Sequence, residues 1–199
     1  MSYDGIAMSD ALELETPVLL MAMPQVVDPF FHMSVVLLVY HQDDGSVGFI
    51  VNRPTAVPVT AILEGLDIAW GGDENHAAHF GGPVQPQFGT VIYRSDKPLP
   101  GESHREISPG VMMTQNIKDL EILAEKPPSS LRLFLGYAGW ADGQLMGEIM
   151  RNDWLTAPVN ADLVFGDAEQ MWRRALLSVG VDPTQLPTWT PDDGDAAAN

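Results

Sequence analysis

Within residues 131–152, LRLFLGYAGWADGQLMGEIMRN, the apolar pattern changes from strand to helix across three glycines. Leu131, Leu133, Phe134 and Leu135 form an apolar run of strand character, Gly136, Gly139 and Gly143 predict a loop, and a helical pattern starts at Gln144. A site would most naturally sit on that turn. Glycines there allow positive φ and close backbone approach, either to a ligand or to another segment packed in a tight turn. The free N–H groups of the following helix face the same place, although Asp142, expected to cap its first turn, would repel an anion.

The flanking elements agree. Residues 18–23 are a continuous apolar run stopped by Pro24, which predicts a buried strand with Met21 and Met23 as core packing. Asp28-Pro29-Phe30-Phe31-His32 predicts a turn capped by Asp28 and pinned to the core by its two phenylalanines. Residues 34–41 and 47–52 read as a hairpin around Asp43-Asp44-Gly45, ended by Pro54. Helices are expected over 59–66, 116–126 and 167–179. Asn116 and Asp167 stand at capping positions, and Pro127 and Gly180 act as stops. Strands are expected over 88–94, over 105–113 with a break at Pro109-Gly110, and over 154–157 and 162–165. Strands and helices thus alternate irregularly, which predicts an α+β fold with a mixed sheet rather than a doubly wound one. At 199 residues, 45% of them hydrophobic, the chain suits one domain over 16–185, with a lead-in over 1–15 and an acidic tail over 186–199 into which Trp189 could dock.

Charge and composition limit the chemistry. A formal charge of −17, from 27 acidic and 10 basic residues, repels a phosphate backbone, and Arg173-Arg174 is the largest basic cluster, so direct nucleic-acid binding is disfavoured. Zero cysteines exclude disulfides, thiol catalysis and thiolate metal sites. No apolar run approaches the ~18 residues of a membrane span and no secretory pattern opens the chain, which points to a cytoplasmic protein with no membrane association.

No complete catalytic constellation is present. The glycine stretch is spaced G-x-x-G-x-x-x-G, neither a phosphate-binding P-loop nor a dinucleotide fingerprint, and Ser46 lacks the G-x-S-x-G context of a nucleophile elbow. His76 and His79, with Asp73 and Glu74 nearby, do not reach metal-site geometry by spacing, so neither metal nor cofactor is expected. What remains is a set of polar residues at strand ends: Asp28, His41, Asn52, Arg53, Gln144 and Glu148. Arg53 is either a fork for a carboxylate or phosphate or a structural partner, and Asn52 and Gln144 could orient a ligand. Trp140, Trp154 and Trp172 are expected in the core.

Met21-Ala22-Met23-Pro24, Asp28-Pro29-Phe30-Phe31, Gly48 through Pro54 (GFIVNRP), Gly81-Gly82-Pro83-Val84, Gly136-Tyr137-Ala138-Gly139-Trp140 and Gly143-Gln144-Leu145 occur in one order. Over residues 16–182 the chain thereby resembles the YqgE/AlgH family of bacterial proteins. The resemblance implies a single cytoplasmic α+β domain with a strongly curled sheet flanked by helices. The family carries the label of a transcriptional regulator but brings no DNA-binding motif and no established catalytic residues. Met33, Asp142 and Met146 depart from the usual pattern, where an arginine, a non-acidic residue and a glutamate are common, while Glu148 is kept. The expectation is a small-molecule-binding or regulatory protein with a small-molecule or protein partner. Its site would be built from Asn52-Arg53-Pro54, Gly81-Gly82-Pro83 and residues 136–144, including Gly136, Gly139, Trp140 and Gln144. A hydrolase using Asp28, His41 or Glu148, and a transcriptional regulator, are the alternatives.

Overall fold

The computed structural model of the chain describes residues 14–97 and 103–187. Residues 1–13 of the lead-in expected over 1–15, and Trp189, lie outside the described residues. β1 (Val18–Ala22), β2 (Val35–Gln42) and β3 (Gly45–Ile50) form an antiparallel meander in which Leu20 faces Val36 and Leu37 faces Phe49. Leu19 through Ala22 and Val35 through Leu38 are wholly buried, so these strands read as continuous apolar runs because both faces of the sheet are covered. The expected hairpin forms with Asp43-Asp44 as its turn.

The organising strand is β9 (Leu131–Trp140), and it is longer than expected: the segment predicted as a loop at Gly136 and Gly139 is strand. One edge of β9 pairs antiparallel with β6 (Val84–Arg94), from Tyr93 opposite Leu131 to Val84 opposite Tyr137. The other edge changes partner along its length. It pairs in parallel with β5 (Ala77–Phe80) at Phe134 and Leu135, then antiparallel with β3 at Ala138 to Trp140. Gly136, with φ of 69°, sits at the change, so its backbone freedom serves a strand that switches neighbours rather than a loop. With β4 (Pro54–Pro58) on β5, β7 (Arg105–Ser108) on β8 (Val111–Thr114), and β10 (Trp154–Pro158) on β1, the described residues make one curled ten-stranded sheet. It runs β10-β1-β2-β3-β9-β6-β8-β7, with the β4–β5 pair attached to β9. The fold is the expected α+β class, mostly antiparallel.

The helices among the described residues are α1 (Val59–Glu64), α2 (Ile117–Glu125), α3 (Gln144–Met150), α4 (Ala161–Val164) and α5 (Ala168–Ser178). Asn116 accepts the Lys118 N–H and Asp167 accepts those of Glu169 and Gln170, as their positions predict. α4 corrects the strand expected over 162–165. Asn160 caps it by accepting the Asp162 N–H, and a run of four residues is too short for its apolar pair, Leu163 and Val164, to distinguish helical from strand period. α5 packs Met171, Trp172, Ala175 and Leu176 against Leu19, Met21 and Leu37. α1 and α2 cover Val91, Leu131 and Leu133. A third cluster joins Leu20, Val36, Leu38 and Ile50 to Trp140, Leu145 and Trp154 beside α3.

Candidate functional site

A polar and aromatic cleft forms where β9, α3 and β10 meet the turn before β2. The turn is made by Asp28, whose Oδ1 accepts the N–H groups of Phe30 (2.8 Å) and Phe31 (3.3 Å). Asn52 holds its far end by accepting the Val35 N–H (2.8 Å) and donating to the Met33 carbonyl (3.0 Å), and Arg53 donates to the His32 carbonyl. Asn52 and Arg53 therefore position this turn. Phe30 stacks on Phe80 and Phe31 reaches between Trp140 and Trp154, so the two phenylalanines pin the turn as expected.

Trp140 ends β9, Trp154 begins β10, and α3 lies between them in sequence. Gln144 and Glu148 are four residues apart and share one face of α3. Glu148 Oε2 accepts both indole N–H groups, from Trp140 at 2.9 Å and from Trp154 at 2.8 Å, while Oε1 accepts the Gln144 amide at 2.9 Å. Gln144 in turn accepts the Ala141 N–H at 3.1 Å. The Phe31, Trp140 and Trp154 rings pack with centroids 5.7–6.0 Å apart. The helix start itself is Gly143 at φ 67°, not the Asp142 cap expected from sequence. Above this floor is a cavity of about 360 Å³ lined by Asp28, Phe31, Gly139, Trp140, Gln144, Glu148 and Trp154, with Gln25, Val26, Val27 and the 3.0 Å Arg151–Asp153 ion pair at its rim. Such a volume lies at the small end of ligand sites.

The remaining candidates fall elsewhere. Asn52-Arg53-Pro54, Gly81-Gly82-Pro83 and Gly136 are neighbours, because Phe80 N–H donates to the Arg53 carbonyl and Gly81 N–H to that of Leu135. Their backbones fill the space between them: a Cβ on Gly81 would stand 2.2 Å from the Gly136 oxygen, and one on Gly82 2.1 Å from the Tyr137 carbonyl carbon. His41 bonds Ser46 at 2.7 Å on the β2–β3 hairpin and does not line the cleft. His76 bonds the Leu131 carbonyl (2.8 Å), and His79 packs on Phe134 with a ring nitrogen that finds no hydrogen-bond partner among the described residues. Burial first, then the charges of Arg132 and His76, push His79 down to about 3. Arg132, pushed down to about 10 by its burial, donates to the Val51 and Gly166 carbonyls and ties β9 to the end of β3 and to the α4–α5 corner.

Phe31, Trp154, Arg151 and Asp153 were not among the site residues expected from sequence. The signal for Trp154 was present: Glu148 lies eight residues after one tryptophan and six before the other, at the middle of the helix that separates them.

Fold and cleft together define a small α+β domain in which a curled, mainly antiparallel sheet carries a carboxylate-and-indole cleft at a strand–helix–strand corner. The chain belongs to the AlgH-like family, which it matches over residues 19–184. It is 40% identical over 185 residues to a UPF0301 protein of Jannaschia sp., covering 91% of this chain and 96% of that one. It is 39% identical over 173 residues to one of Myxococcus xanthus, covering 85% and 93%. The solution structure of AlgH from Pseudomonas aeruginosa superposes with a TM-score of 0.70 at 30% identity over 85% of this chain and 94% of that one. A crystal structure from Corynebacterium diphtheriae shares the fold, with a TM-score of 0.70 at 23% identity over 83% and 87%.

Proposed function

We propose that this is a cytoplasmic small-molecule-binding protein whose ligand occupies the cleft over Trp140, Glu148 and Trp154, and that any regulatory role is exerted through a protein partner that reads the occupied state. The observation that carries this reading is the Glu148 carboxylate gripped by two indole N–H groups at the floor of a cavity of about 360 Å³. A buried-edge aromatic cluster with a few convergent polar groups is the usual make-up of a small-molecule site. Asp28, Gly139, Gln144 and Glu148, all expected from sequence, line the same cavity. A hydrolase has less support, because His41 does not line the cleft. Direct duplex binding is opposed by the formal charge of −17. Among the described residues no helix is long and apolar enough to cross a membrane.

The test is a thermal-shift screen against amines, amino acids, nucleotides and sugar phosphates, followed by tryptophan emission. A ligand at about 100 times its Kd adds roughly 2.7 kcal/mol, which raises Tm by roughly 5–10 °C in a domain of this size. The expected hit also changes tryptophan emission and weakens in Gln144→Ala. A screen with no shift, or hits indifferent to Gln144→Ala that leave the emission unchanged, would refute the cleft as the site.

A further inference from the structure

We infer that the cleft selects an organic cation bearing N–H donors, an ammonium or amidinium compound, over a phosphate or carboxylate metabolite. This inference rests on the cleft being a binding site and adds the class of ligand. Three carboxylates face or rim the cavity, those of Asp28, Glu148 and Asp153, against one guanidinium, Arg151, which is already engaged by Asp153 at 3.0 Å. An arriving anion would therefore meet two uncompensated carboxylates. The amide donors are half spent: Gln25 Nε2 gives one of its two N–H groups to the Asn152 carbonyl and Gln144 Nε2 one of its two to Glu148.

Charged acceptor capacity is also left over. A carboxylate offers about four lone-pair positions. Glu148 spends three of them, two on the indoles and one on Gln144, which leaves one on Oε1. Asp28 spends Oδ1 on two backbone N–H groups, and its Oδ2 receives no donor from the described residues. The cavity thus carries a net negative charge with unspent carboxylate acceptors, which is the complement of an ammonium group. A bare metal ion fits less well, since Glu148 Oε2 has both its lone pairs in indole hydrogen bonds.

The experiment titrates the full chain in about 150 mM salt, chosen to screen the general attraction of an acidic surface, with matched sets of fragments followed by calorimetry and tryptophan emission. Phenethylamine, benzamidine, putrescine and agmatine form the cationic set, and their neutral alcohol or amide and carboxylate counterparts form the other two. The cationic member of at least one set is expected to bind roughly 10-fold or more tightly than its neutral counterpart, with the carboxylate weakest. Asp28→Asn keeps an oxygen for the turn but removes the charge, and is expected to weaken the cation roughly 5- to 20-fold while sparing the neutral compound. Glu121→Gln removes the same charge from the exposed face of α2 and is expected to change nothing. Equal loss in both variants would reduce the preference to long-range attraction and overturn the inference. Tighter binding of the neutral or carboxylate members overturns the cation class while leaving the cleft reading intact, and binding by no member of any set overturns both.

Discussion

At Gly82 and Gly143 two glycines with positive φ do different work. Gly82 has φ of 153°, and a Cβ there would collide with the Tyr137 carbonyl carbon at 2.1 Å, whereas at Gly143, with φ 67°, a Cβ would meet nothing within 4 Å. Gly82→Ala is therefore expected to cost about 3 kcal/mol or more, through backbone displacement, and Gly143→Ala only about 1 kcal/mol, through left-handed strain. Urea unfolding of the two variants checks this, and similar costs would show that β9 tolerates a shift at Tyr137. His79 sets a pH dependence. Its folded value of about 3 lies below the ordinary 6.5, so the unfolded chain binds the proton that the folded chain refuses. Stability is whole above pH 6.5 and declines by about 1.4 kcal/mol per unit as pH falls toward 3. Between pH 7 and 5 the wild type should lose about 2 kcal/mol more than His79→Gln. Parallel losses in urea melts would mean that His79 titrates normally in the folded protein.

α3 depends on one side chain, Glu148. It spans seven residues, buries only Leu145, and begins at a glycine that supplies no capping oxygen. Glu148 anchors it to the ends of both β9 and β10, so Glu148→Ala strands two indole N–H groups at once. The expected cost is about 2–4 kcal/mol, against about 1 kcal/mol for Glu148→Gln, whose amide oxygen still accepts. A red shift of tryptophan emission should accompany only the alanine variant. α5 is held differently. Its four buried side chains pack on β1 and β2, and loss of its cap in Asp167→Ala should cost about 1 kcal/mol without altering the cleft. Thermal melts of the two alanine variants distinguish a helix anchored by a polar hub from one anchored by packing.

Over the whole molecule, charge opposes compactness. With 27 acidic and 10 basic residues the folded chain repels itself, and of the described surface ion pairs Arg94–Asp162 is exposed and screened while Arg151–Asp153 is half-exposed. Raising salt from about 10 to about 150 mM shortens the screening length from about 30 to about 8 Å and should raise Tm by several degrees. A Tm that falls with salt would mean that attractive pairs outweigh the net repulsion.

The patterns that were legible in sequence are local ones. The β2–β3 hairpin, the Asn116 and Asp167 caps and the Asp28 turn each depend on residues within a few positions of one another, where backbone preference and short-range hydrogen bonds decide the outcome. The α+β class follows from those elements and from apolar runs that require cover on both faces of the sheet. Tertiary contact decided the rest. Gly136 and Gly139 look like a loop in sequence, yet they lie in β9, because the sheet hands one edge of that strand from β5 to β3 and only glycine allows the crossing at Gly136. Arg53 reads in sequence as either a ligand fork or a structural partner, and only the fold sets it on the His32 carbonyl; Arg132, likewise, is the buried tie between β9, the end of β3 and the α4–α5 corner. The cleft belongs to the same class: Asp28, Trp140, Glu148 and Trp154 are individually visible in the chain, but their convergence is long-range, and a one-dimensional pattern records spacing along the chain rather than which ends of a curled sheet come together.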